Sequence, residues 1–109
     1  MSEIDILKAY DQSKMASIPI MPEDRALNIL AESYRLFNSR DKWLSPVNRM
    51  AILENAVKII SKRKDELALQ AASEGGKPLQ DSLVEVERGI DGIKVAIKEF
   101  SHMAGTEIP

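Results

Sequence analysis

The chain has 109 residues, which limits it to one domain, and a domain of this size buries roughly two-thirds of the surface that its unfolded chain exposes. Apolar residues make up 44% of the sequence and charged residues 29%, a balance typical of globular rather than disordered proteins. A net charge of −2, the lack of any membrane-length apolar stretch and the absence of cysteine predict a cytoplasmic chain with no nucleic-acid partner, no membrane partner and no thiol chemistry of its own.

The first predicted element is an extended N-terminal segment over residues 1–21. The run "DILKAYD" is typical of a short edge strand, and the prolines of "ASIPIMP" keep the residues before them out of the helical region. A helix is predicted from Pro22 to about Asn38, because the two acids after the proline suit the positive end of a helix dipole. Helical spacing predicts that its buried face consists of Leu27, Leu30, Ala31, Tyr34 and Phe37.

A second helix is predicted from Ser45 and Pro46 to about Lys62, since serine is a favoured N-cap and proline suits the first helical position. Its broad apolar arc predicts partners on more than one side. The arc consists of Met50, Leu53, Val57, Ile60, Ile52, Ala56 and Ile59. We interpret the following run, "SKRKDE", as a solvated connection rather than a nucleic-acid patch, because its acids dilute its bases. A short third helix follows, with Leu67, Ala68, Ala71 and Ala72 expected to face inward.

The run "EGGKP" at residues 74–78 superficially resembles a phosphate-binding loop. Ala71 stands where such a loop needs its first glycine, and Pro78 replaces the hydroxyl residue that would hold magnesium, so a nucleotide site is excluded. We predict instead that Gly75 and Gly76 end the third helix and that Pro78 opens the fourth. Lys77 is then either an anion contact or an exposed lysine.

The fourth helix has the clearest apolar pattern in the chain, with alternating spacings of four and three residues. This seam consists of Leu79, Leu83, Val86, Ile90, Ile93, Ile97, Phe100 and Ala104, and Gly105 follows it. The seam indicates either an amphipathic helix within one fold or a coiled-coil strand that pairs chains. Gly89 and Gly92 disfavour the coiled coil, since each costs about 1 kcal/mol relative to alanine, and they predict that something packs closely against the helix there.

Few residues indicate chemistry. His102 has no second histidine or cysteine with which to share a metal, so we expect a surface histidine near a helix end. Glu74 lies beside the predicted chain reversal, and it is the one carboxylate with a distinctive position. The residues alone therefore predict a mostly α fold of about four helices with a short N-terminal strand.

A series of short motifs carries a resemblance to a known family. In order, they are Trp43; Pro46, Arg49 and Leu53; Glu66-Leu67-Ala68; Glu74-Gly75-Gly76-Lys77-Pro78; Glu85-Val86; and Gly105-Thr106-Glu107-Ile108-Pro109. Over residues 26–109 this order and spacing resemble the N-terminal helical region of the NAD(P)-dependent aldehyde dehydrogenase superfamily, with the arginine one residue early.

The resemblance implies that residues 22–109 form the helical N-terminal part of the cofactor-binding domain in a longer enzyme with an α/β Rossmann-like fold. Such a parent oxidises an aldehyde to a carboxylic acid with NAD or NADP through a cysteine thiohemiacetal. The family's catalytic and cofactor-binding residues have no counterpart here, so the chain alone is expected to be inactive and to bind neither cofactor. The N-terminal β-hairpin usual in many members is expected to be short or missing.

The resemblance also assigns roles to individual residues. It implies that Glu74 helps to hold a structural monovalent cation, against the simpler alternative of a solvated or capping carboxylate. It implies that Gly89 and Ile93 belong to the wall of the substrate tunnel. The expected partner is the remainder of the parent chain, and exposed apolar surface on the fourth helix predicts a homo-oligomer. A free-standing helical interaction or dimerisation module without catalysis is the alternative.

Overall fold

A computed structural model describes residues 2–108, which divide between Leu44 and Ser45 into two compact units. The first unit contains β1 (Glu3–Leu7), β2 (Lys14–Pro19), α1 (Glu23–Asn38) and a 3-10 turn (Arg40–Lys42); the second contains α2 (Pro46–Lys62), α3 (Lys64–Gly75), α4 (Leu79–Glu99) and a 3-10 turn (Phe100–His102). The predicted mostly helical fold is confirmed. Pro109, the last residue of the closing motif, lies outside the described residues. Between residues 2 and 108 no helix has the length and apolar character needed to cross a bilayer.

The N-terminal segment forms an antiparallel β-hairpin. Ile4 pairs with Ile18 and Ile6 with Ala16, so these four side chains share one face of the ribbon. The family hairpin is expected to be short or missing, and the second of these alternatives is wrong, since strands of 5 and 6 residues pair. The run expected to be an extended link contains most of β2. Proline kept this strand from being recognised, yet β2 is an edge strand of a two-stranded sheet, where a missing N–H donor is tolerated at Pro19.

Helix α1 has the predicted boundaries, although Pro22 precedes its first residue rather than opening it. Its predicted buried face is wrong, because no residue of the helix is buried. The large side chains of that face are 57% to 71% exposed: Leu27, Leu30, Tyr34 and Phe37. The periodicity correctly indicated an amphipathic helix, but the described residues leave its apolar side largely uncovered.

A tryptophan closes the C-terminal end of α1. The indole Nε1 of Trp43 donates to the carbonyl oxygens of Leu36 and Phe37, at 3.3 Å and 3.1 Å. Its ring lies 5.6 Å from that of Phe37, and the guanidinium of Arg40 lies 5.2 Å from its centroid. The indole thus gives the Phe37 carbonyl a partner at the helix end and adds a second one to the Leu36 carbonyl, which also accepts the N–H of Ser39.

Helix α2 begins and ends where predicted. The Ser45 hydroxyl oxygen accepts the backbone N–H of Asn48 at 3.2 Å, and Pro46 occupies the first helical position. The apolar arc is covered on one side only. Met50, Leu53, Ala56, Val57 and Ile60 are half-buried, whereas Ile52 and Ile59 are exposed.

Helix α4 packs against both α2 and α3, and the core of the second unit lies along this contact. Ala68 of α3 is fully buried and Ile90 of α4 is 7% exposed, and the rest of the inward face predicted for α3 is half-buried. The seam is thus used within the chain, which favours the amphipathic-helix alternative over the coiled coil.

The predicted end of α4 is wrong. The helix ends at Glu99, and the chain continues into a 3-10 turn in which the N–H of Met103 donates to the carbonyl of Phe100 at 3.3 Å. Ala104 consequently lies outside the helix, and Gly105 adopts a φ of +82°. Ala104 has the spacing of the seam, so the sequence pattern continued past Glu99, where the backbone changes from α-helical to 3-10 geometry.

The solvated "SKRKDE" run does not form a separate connection. Arg63 alone lies between α2 and α3, and its guanidinium nitrogen lies 2.6 Å from a carboxylate oxygen of Glu66, with both side chains exposed. The hydrogen bond from Arg63 lowers the pKa of the Glu66 carboxyl below its usual value. Lys64 reaches further, to an ion pair with Glu87 that links α3 to α4.

Ser82 of α4 is fully buried, and its hydroxyl has no hydrogen-bond partner among the described residues. A buried polar group without a partner destabilises a fold by about 1 to 3 kcal/mol. Replacing Ser82 with alanine is therefore expected to raise the free energy of unfolding by about 1 kcal/mol or more, measured by urea denaturation. Ser73→Ala in α3 is the control, because it gives the same gain in helix propensity but loses the bond from its hydroxyl to the Leu69 carbonyl at 2.8 Å. A Ser82→Ala variant less stable than the Ser73→Ala variant would contradict this account.

Candidate functional site

The turn at residues 74–78 is the first candidate site, and its backbone has the predicted form. Helix α3 ends at Gly75, and Gly76 adopts a left-handed conformation with φ 67° and ψ 19°. The N–H of Gly76 donates to the carbonyl of Ala72 at 2.9 Å, which caps the helix. Pro78 stands immediately before α4 rather than at its first helical position.

Both charged side chains of this turn already have protein partners. Lys77 forms an ion pair with Glu85 of α4, so its charge is balanced within the chain rather than presented to an anion. The side-chain amide of Gln70 donates to Glu74 Oε1 at 2.8 Å. The turn is therefore organised by contacts between neighbouring elements.

Glu74 alone does not form a cation site. Hard cations prefer several oxygen ligands, and residues 2–108 contain no cluster of three or more histidine, cysteine, aspartate or glutamate side chains. The carboxylate and free carbonyls at the end of α3 are suitable donor types. Further ligands would have to come from another segment or from water.

Gly89 and Ile93 lie one turn apart on α4, so they share one side of the helix. Ile93 is half-buried. A Cβ atom built at Gly89 or at Gly92 meets nothing within 4 Å, so within the described chain nothing packs closely against either glycine. The predicted close packing against Gly89 and Gly92 is therefore not found within the described chain, and the surface around both glycines is open.

Two other polar groups have local roles only. His102 is exposed, as predicted, and its Nδ1 lies 3.0 Å from a carboxylate oxygen of Glu99. On the hairpin, Asp5 accepts from the hydroxyl of Ser17 at 2.6 Å and pairs with Lys14 at 2.8 Å. The bond from Lys14, followed by that from Ser17, lowers the pKa of the Asp5 carboxyl. These surface contacts fix local geometry and carry no catalytic arrangement.

Sequence reasoning missed a groove between α2 and α4. Its central cavity has a volume of about 390 Å³ and is floored by Val57 and Ile97, with three lysines around it: Lys58, Lys94 and Lys98. The sequence contained one signal of this groove, since Lys94 and Lys98 flank Ile97, a residue of the seam. The pairing of α2 with α4 that brings Lys58 to the same place has no local signal.

Comparison with known proteins gives a consistent result. The model of the aldehyde dehydrogenase family matches residues 1–109. The chain is 33% identical over 96 residues to a lactaldehyde dehydrogenase of Methanocaldococcus jannaschii, covering 86% of this chain and 20% of that protein. It is 30% identical over 95 residues to a malonate-semialdehyde dehydrogenase of Bacillus cereus, covering 87% of this chain and 19% of that protein.

A solved structure has the same architecture. The crystal structure of the glyceraldehyde-3-phosphate dehydrogenase GapN from Methanocaldococcus jannaschii, complexed with NADP, superimposes with a TM-score of 0.86 at 28% identity. The match covers 97% of this chain and 23% of that one. The chain thus spans about a fifth of the length of the relatives that it matches.

Proposed function

Because the chain belongs to the aldehyde dehydrogenase family, we propose that it is the N-terminal part of a longer enzyme that oxidises an aldehyde to a carboxylic acid with NAD(P)+. The family match over residues 1–109 carries this proposal. The small share of each relative that the chain covers supports its being part of a larger protein. The chain alone is expected to be inactive because it has no cysteine, and to bind neither NAD nor NADP because the family's cofactor-binding residues have no counterpart in it.

In the proposed reaction, a cysteine thiolate elsewhere in the parent attacks the aldehyde carbon to form a thiohemiacetal. The cofactor held by the rest of the parent would supply the hydride acceptor that turns the thiohemiacetal into a thioester, and water would release the acid and regenerate the thiol. The residues of this chain supply the helical frame. The turn at Gly76 does not fit a nucleotide phosphate, since Ala71 and Pro78 occupy two defining positions of such a loop.

The proposed tunnel wall at Gly89 and Ile93 gives the test. In the polypeptide encoded by the whole reading frame, Gly89→Leu is expected to change the ratio of kcat/KM for a short and a long aldehyde by about tenfold or more. Stability should change little, because the new side chain enters open space and leucine favours a helix over glycine. Reduction of NAD(P)+ is measured with lactaldehyde, malonate semialdehyde and a long-chain aldehyde.

Val95→Leu is the control, because Val95 is exposed on the same helix and lies neither three nor four residues from Gly89 or Ile93. An unchanged ratio in both variants, with the enzyme active, would remove Gly89 from the tunnel. A reading-frame product that reduces no NAD(P)+ with any aldehyde would overturn the proposed function itself. That result would favour a helical interaction module.

We propose Glu74 as one ligand of a structural cation in the parent. Its support is the donor chemistry described above, a carboxylate beside helix-end carbonyls. The bond from Gln70 holds the carboxylate in place without neutralising it, since an amide is an uncharged donor. Anomalous scattering from parent crystals soaked in rubidium would place a peak beside this carboxylate.

We propose that the remainder of the parent chain covers the exposed face of α1. We also propose that the parent is a cytoplasmic protein. Apolar patches larger than a few hundred Å² normally mark interaction sites. We also propose that the protein forms a homo-oligomer. The centre of the α4 seam cannot be the contact surface, because Ile90 is already buried within the second unit. Leu30, which is 66% exposed, is a better position for disrupting any association of the isolated chain.

A further inference from the structure

We draw no further inference here: the strongest candidate, the apolar groove between α2 and α4 with Lys58 and Lys98 beside it, carries nothing, because the chain spans about a fifth of the length of its relatives and nothing in the structure shows what covers this groove in the whole protein.

Discussion

Replacing Gly76 with valine is expected to lower the free energy of unfolding by about 1 to 3 kcal/mol. The residue has a φ of 67° at the end of α3, and a β-branched side chain is strongly disfavoured in that region. The cap bond from its N–H to the Ala72 carbonyl depends on this conformation. Chemical denaturation followed by circular dichroism measures the change.

Gly75→Val is the matched control, because Gly75 is the last helical residue and has no positive φ. A Cβ at Gly75 would meet only the end of the Lys77 side chain, at an ordinary contact distance of 3.9 Å. The two adjacent substitutions therefore differ in backbone strain and little else. Equal stability of the two variants would show that the left-handed turn is not what Gly76 contributes.

Replacing Ile90 with alanine is expected to cost about 2 to 5 kcal/mol, the range for truncating a large buried aliphatic side chain. Ile90 is 7% exposed and lies in the middle of α4, where the helix packs against its neighbours. A small domain has a total stability of about 5 to 15 kcal/mol. The second unit should thus lose a large part of its stability in this variant.

Val95→Ala on the same helix is the control, since Val95 is 55% exposed. Its free energy of unfolding should change by less than about 0.5 kcal/mol. A large loss in both variants would indicate that α4 is covered on its outer side as well. A small loss in both would mean that the seam does not form the core of the second unit.

Local signals in the sequence located the helix ends of the second unit well, apart from the C-terminal end of α4. Ser45 and Pro46 begin α2, and Gly76 and Pro78 separate α3 from α4, because each of these residue types fixes the backbone at its own position. The features that the sequence did not predict depend on contacts between residues that are distant along the chain. The hairpin requires Ile4 to meet Ile18, and no local pattern specifies that pairing.

Among the candidate site residues too, roles that depend on the local backbone were predicted correctly and roles that depend on a packing partner were not. Gly76 was correctly assigned a structural role, whereas the open surroundings of Gly89 and Gly92 differ from the close packing predicted for them. A glycine in a helix indicates that a side chain is not tolerated, but not which segment excludes it. The same reason explains why the buried face predicted for α1 is wrong. The periodic leucines show that the helix has an apolar face, but they do not identify what packs against it.

The uncovered face of α1 has a consequence for synthesis at the ribosome. Residues 1–44 are made before the second unit, and translation of residues 45–109 takes roughly 3 to 13 s at about 5 to 20 residues per second. On the proposal that the remainder of the parent covers this face, the leucines and aromatic rings of α1 stay in contact with water throughout that interval. A nascent chain of this design presents a binding motif for a holding chaperone throughout that interval.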